Sequence, residues 1–218
     1  MAQRQHHYEQ AFEDYLRARR IPYVAVDEAK KALLPEPSVS FRSMDRSTDQ
    51  NSALKSFDFV IYGEGLNLLV EIKGRKVAQR AASPRPGKPG RLENWVTIDD
   101  VASLQRWEQL FGQEFQAAFV FVYWCDDQPP DALFQEMFES RGRWYALRAV
   151  KVRDYSGVMK VRSPRWRTVN VPPAAFERIS APFAPSRPNP LYPGESVSPS
   201  VFSPAESLVL PALERLVR

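Results

Sequence analysis

The sequence predicts an α/β fold, and three stretches carry that expectation. From Gln5 to Arg20, the residues Tyr8, Ala11, Phe12, Tyr15 and Leu16 fall at the spacing of one helix face. Phe57 to Lys73 reads as two strands, aromatic and β-branched, reversing at Gly63-Glu64-Gly65. Phe115 to Trp124, FQAAFVFVYW, is apolar almost throughout, as a strand covered on both faces is, and so is expected at the centre of a sheet.

Composition sets the bounds. A chain of 218 residues, 44% of them hydrophobic, holds one good-sized core plus extensions. No apolar run approaches the length that crosses a bilayer, so no membrane association is expected. The opening MAQRQHHYEQ lacks the apolar centre of a secretory signal. Cys125 is the one cysteine, which rules out an intramolecular disulfide and a cysteine-based zinc site; it is expected to be a buried thiol. Together these features predict a cytoplasmic protein. The net charge is +4 with a pI near 9.2, a balance that permits a polyanionic partner. Residues 1–179 are expected to form one domain. From Ser180 to residue 218 proline and serine dominate, and a disordered or extended tail is expected, with a short amphipathic helix over 205–218.

The remaining elements follow in order. Arg17, Arg19 and Arg20 favour the C-terminal end of the first helix, which Ile21-Pro22 closes. Glu9 and Glu13 lie one turn apart on its flank, and taken alone each is an ordinary charged helix position. His6 and His7 are expected in solvent. Tyr23 to Val26 reads as a short strand, 27–33 as a helical turn, and 35–51 as a polar connection. After Lys73 the chain carries Arg75, Lys76, Arg80, Arg85, Lys88 and Arg91 with no acidic residue up to Leu92, and Pro84, Pro86 and Pro89 argue against regular structure. Such a loop either solubilises the surface or holds a phosphate backbone. A second helix is predicted over Asp99–Phe111, capped by Thr97 or Asp99 and stopped by Gly112. Val101, Leu104, Trp107, Leu110 and Phe111 form its apolar face, and Gln105 is a candidate to reach a site beside it. Asp131 to Glu139 reads as a short helix, Arg143 to Arg153 as a strand, and the neighbourhood of Thr168–Val171 as another. Lys160, Arg162, Arg165 and Arg167 interleave with Trp166; the arginines are read as partial phosphate contacts, and Trp144 and Trp166 as core anchors.

The chemistry concentrates in the hairpin. Asp58 begins its first strand, while Glu71 and Lys73 end its second. Two residues apart on a strand, Glu71 and Lys73 project from one face and Ile72 from the other. An antiparallel hairpin then brings Asp58 beside them. Two carboxylates held together favour a shared proton or a divalent cation, and oxygen ligands suit Mg²⁺ or Mn²⁺. A neighbouring lysine can orient a nucleophile or offset developing negative charge. These are the needs of phosphodiester hydrolysis. Asp at a strand start and Glu-x-Lys along an edge also occur with no chemistry attached.

An N-terminal helix with Glu9, a strand starting at Asp58, a strand ending in Glu71-Ile72-Lys73, a second helix and a central apolar strand together resemble the PD-(D/E)xK nuclease superfamily. The likeness is to its Holliday junction resolvase-like and restriction endonuclease-like branches, and it covers roughly Tyr8 to Trp124. The opening His7-Tyr8-Glu9-Gln10-Ala11-Phe12-Glu13 also resembles the HYExAFE family. The resemblance implies a restriction-endonuclease-like αβββαβ core with a mixed sheet. It implies metal binding by Asp58, Glu71 and the Ile72 carbonyl, and a water-positioning Lys73. Glu9 takes the place of the helix glutamate, with Glu13 as the fallback. It implies a metal-dependent DNA endonuclease, resolvase-like on branched DNA, and a homodimer. A non-catalytic nucleic-acid-binding module on the same fold is the competing expectation. Phe57 stands where the motif's proline would be, and the basic insertion after Lys73 departs from the resolvases.

Overall fold

The predicted central strand does form the middle of the molecule, and the reason is its alternation. In β5 (Phe115–Cys125), Phe119, Phe121 and Tyr123 face one apolar cluster while Val120 and Val122 face another, and all five are buried. The computed structural model describes residues 3–26, 54–63, 66–77, 92–125 and 136–183. Before β5 come α1 (Gln3–Ala18), β1 (Tyr23–Ala25), β2 (Phe59–Ile61), β3 (Asn67–Lys76), β4 (Val96–Thr97) and α2 (Ile98–Phe111). After it come β6 (Met137–Ser140), β7 (Arg143–Lys151), α3 (Val152–Val158), β8 (Lys160–Ser163), β9 (Thr168–Asn170) and α4 (Pro173–Ile179).

The main sheet is mixed and has six strands in the order β1-β2-β3-β5-β7-β6. Only β3 and β5 run parallel, from Asn67 opposite Phe115 to Lys76 opposite Trp124; every other neighbouring pair is antiparallel. A parallel pair needs a crossover, and α2 supplies it. The expected order of helix, three strands, helix and strand is therefore observed, with β4 inserted before α2. Phe12, Tyr15 and Leu16 of α1 pack on one side of the sheet with Ile61, Leu68 and Val70. Val101 and Leu104 of α2 pack on the other with Leu69, Phe119 and Phe121, joined there by Tyr155 of α3 and Phe176 of α4. A second sheet, β4-β9-β8, lies beside α2. Among the described residues no helix is long and apolar enough to cross a membrane.

Several expectations need correction. Met137–Ser140 is a strand and not the end of a helix, because it pairs with β7 across a two-residue turn. Arg141 and Gly142 both have positive φ, 52° and 71°, which is the geometry that joins twisted strands tightly. The strand from Arg143 ends at Lys151, where α3 begins; α3, β8 and α4 had no counterpart in the sequence reading. Trp144 packs against the core half-buried, but Trp166 is 69% exposed. The packed chain continues past residue 179: Ala181 bridges to Ala149 and Phe183 is fully buried, so the expected tail boundary falls too early. The expectations for 27–51, 131–135 and 184–218, including the terminal helix, lie outside the described residues.

Candidate active site

The site arises where β2 and β3 part. Their ladder pairs Phe59 with Val70, and the Asp58 N–H still donates to the Val70 carbonyl at 2.9 Å. Beyond that point the backbone leaves the ladder. The Asp58 carboxylate takes its place, with Oδ2 accepting the Ile72 N–H at 2.6 Å. Phe57, in the position of the motif's proline, turns onto α2 and meets Trp107 and Phe111 edge-on, which anchors the residue next to Asp58.

On β3, Glu71 and Lys73 share the α2-facing side, and Lys73 Nζ lies 2.7 Å from Glu71 Oε1. The same ammonium is 3.0 Å from Oδ2 of Asp100, a residue the sequence reading missed. Asp100 is the third residue of α2 and completes a capping box. Its N–H donates to Thr97 Oγ1, and its carboxylate accepts the Thr97 N–H at 3.0 Å. Lys55 Nζ approaches Asp100 Oδ1 at 3.0 Å. The signal was present: Thr97 and Asp100 have capping-box spacing, and the box fixes the carboxylate over β3. Asp99, the other cap candidate, instead faces outward to Arg167 at 2.9 Å.

The electrostatics follow from this crowding. Burial, then the nearby Glu71, push the Asp58 carboxyl up to about 8; the Ile72 N–H works against the shift and Glu9 adds to it. Burial also raises Glu71, although Lys73 opposes this. For Lys73, burial favours the neutral amine, but Glu71 and Asp100 outweigh it and hold the ammonium above its usual value. Burial works against Asp100 ionising too, yet Lys73 and the Thr97 N–H bring it down to about 2. Among the described residues Asp58 makes no ion pair, and Lys73 offsets only part of what burial and Glu71 impose on it.

The other sequence candidates divide. Glu9 contributes to the field at Asp58, raising its carboxyl further. Its place depends on Tyr8, whose ring lies on Gly74; a Cβ there would come within 2.1 Å of the ring. Glu13 does not take part, because Arg17 and the Tyr23 hydroxyl, 2.7 Å away, occupy it at the sheet edge. Gln105 points away from the site to Ser156, at 3.2 Å. Arg75 is not a surface phosphate contact. It lies on the same side of β3 as Lys73, donates to the Gly74 and Trp95 carbonyls, and stacks 4.0 Å from the centre of the Trp95 ring. Lys76 is exposed, its ammonium 4.4 Å from the Trp124 ring. Arg80, Arg85, Lys88 and Arg91 lie outside the described residues. His7 is half-buried rather than solvated, sharing a 3.1 Å hydrogen bond with the Tyr145 hydroxyl.

Among the described residues no three His, Cys, Asp or Glu side chains form a ready-made metal cage. Mg²⁺ does not need one: it keeps several waters and engages one or two carboxylates. The charge on Asp58, which burial and Glu71 oppose, is one that such an ion would favour. Comparison with protein-family models, with curated proteins and with solved structures finds no match for this chain. What the fold and site define is an α/β protein with a mixed six-stranded sheet and a carboxylate–ammonium centre where two strands diverge.

Proposed function

We propose that this protein is a divalent-metal-dependent nuclease that hydrolyses phosphodiester bonds in DNA. The observation that carries the reading is the convergence of Asp58, just before β2, with Glu71 and Lys73 in the middle of β3, where Glu71 works against the charge on Asp58. Asp58, Glu71 and the Ile72 carbonyl would hold Mg²⁺ or Mn²⁺. Such an ion, when bound, acidifies water and stabilises charge on a phosphoryl oxygen. Lys73 stays protonated between Glu71 and Asp100, so its role is to orient the attacking water and balance negative charge rather than to act as a base. Glu9, whose charge acts on Asp58, would add a third carboxylate to the centre. Lys76, together with Arg80, Arg85, Lys88 and Arg91, is suited to steering the phosphate backbone toward this centre. The reading places the protein in the cytoplasm. A homodimer, which the superfamily resemblance implies, would bring two such centres to two strands.

One observation favours a second reading. Lys73 is already paired by Glu71 at 2.7 Å and Asp100 at 3.0 Å, and such a triad can simply stabilise a fold that binds nucleic acid without cutting it. The test is incubation with single-stranded, duplex and branched DNA, with Mg²⁺ or Mn²⁺ and with EDTA. Cleavage is expected only with metal. Asp58→Ala, Glu71→Ala and Lys73→Ala should each lower it by about 10²-fold or more. Salt-sensitive binding that survives all three substitutions, with no metal-dependent product, selects the binding module instead.

A further inference from the structure

The β8–β9 hairpin carries a surface that the centre itself does not explain. Trp166 at its turn is 69% exposed and Val161 on its outer strand 63%. Lys160, Arg162, Arg165 and Arg167 surround them, and no acidic residue occurs between Asp154 and Glu177. β8 is an edge strand whose Lys160, Val161 and Arg162 are all exposed, so both of its faces are open. The register shifts between Val161 and Ser163, a bulge that turns Arg162 toward the Trp95 ring, 5.1 Å away, and Glu93, 3.9 Å away. Among the described residues no carboxylate pairs with Lys160 or Arg165; the Arg165 guanidinium lies 5.3 Å from the centre of the Trp166 ring.

The turn is held in place. The Trp166 N–H donates to Ser163 Oγ at 3.4 Å and the Arg167 N–H to the Pro164 carbonyl at 3.2 Å. The Arg167 carbonyl accepts the Ile98 N–H at 2.9 Å, and its guanidinium grips Asp99 at 2.9 Å. The very next residue, Asp100, holds Lys73. The turn that carries the exposed indole is therefore tied to the first turn of α2, the same turn that brings Asp100 to Lys73. A rigid ring loses little conformational freedom on binding.

The geometry points to this hairpin as a base-stacking grip: Trp166 stacks on an unpaired base of a nucleic-acid strand while Lys160 and Arg165 contact its phosphates. The inference rests on the nuclease reading for the location of the reacting phosphate. Charge selects the partner. A protein interface centres on a broader apolar patch than one valine and one tryptophan, whereas cations around a single aromatic face are what single-stranded nucleic acid uses. Bases inside a duplex already have both faces stacked, so the ring discriminates for single-stranded, frayed or branched DNA.

The test measures binding by fluorescence anisotropy in EDTA, where no cleavage occurs, with labelled single-stranded, forked and blunt duplex DNA and with anionic phosphatidylserine vesicles. Trp166→Ala should weaken single-stranded and forked binding about tenfold or more and duplex binding less than about threefold. Trp166→Phe should restore most of the loss. Lys160→Ala combined with Arg165→Ala should reduce the salt dependence on every DNA probe by about two phosphate contacts. Unchanged melting temperatures exclude misfolding. Wild-type affinity for single-stranded DNA in Trp166→Ala overturns the inference, as does a Trp166-dependent affinity for vesicles alone. Trp166-dependent binding without any metal-dependent cleavage would sink the nuclease reading and leave the grip standing. Lys73-dependent cleavage with binding indifferent to Trp166 does the reverse.

Discussion

Glu136 and Asp58 are both carboxylates drawn largely out of water, and their surroundings are opposites. Glu136, just before β6, accepts from the Tyr15 hydroxyl and from the Phe183 N–H at 2.6 Å, with the Arg19 guanidinium 3.7 Å away. Its neighbours donate, and they tie α1 and the chain after α4 to the edge of the sheet. Asp58 accepts one N–H from Ile72 and has Glu71 and Glu9 working against its charge, which Lys73 offsets only in part. Burial is common to the two sites and so cannot distinguish structure from function. What differs is the balance of donors: one carboxylate is satisfied by the fold, the other waits for a proton or a cation.

The comparison predicts that the two sites fail in different ways. Glu136→Ala leaves a tyrosine hydroxyl and a backbone N–H buried without an acceptor and should cost about 3–5 kcal/mol in urea unfolding. Cleavage per folded molecule and any stabilisation by Mg²⁺ should be unchanged. A stable Glu136→Ala protein that has lost cleavage would erase the distinction. Asp100 sits between the two cases, because it caps α2 and also holds Lys73. Asp100→Ala should cost about 2 kcal/mol, combining a lost cap with a weakened ion pair, and should lower cleavage as well. If stability falls and cleavage does not, Lys73 needs no help from α2.

Much of the site was legible because strand periodicity is short and rigid. Given a hairpin, a period of two puts Glu71 and Lys73 on one face, and the antiparallel pairing of β2 with β3 returns Asp58 to them. The same rule, applied one step further, moves Arg75 off the open surface: it shares that face and, half-buried, meets the ring and carbonyl of Trp95 just before β4. A run of basic residues read by composition hides this. Trp166 was misplaced for the converse reason: a tryptophan reads as core until the turn that carries it is known to project. Helix spacing alone does not separate Glu9 from Glu13, which the resemblance ranks first and second; the docking of Tyr8 on Gly74 and the pairing of Glu13 with Arg17 and Tyr23 set them apart. α3 and α4, at seven residues each, are too short to show a helical period.

The remaining test probes Asp58 directly. Its carboxyl titrates near 8 in the folded protein against an ordinary 3.8. Between those values the unfolded chain has released a proton that the folded chain keeps, so this group makes metal-free stability fall as pH rises from about 4 to about 8. Asparagine retains an oxygen to accept the Ile72 N–H and carries no charge. Asp58→Asn should therefore match wild type near pH 4 and exceed it progressively above, in melts recorded with EDTA. Mg²⁺ acts on the same charge and should flatten the wild-type profile while leaving Asp58→Asn unmoved. A parallel pair of profiles would mean that Asp58 ionises as easily as an exposed carboxylate. The contrast with Glu136 would then reduce to two carboxylates equally at ease in the fold.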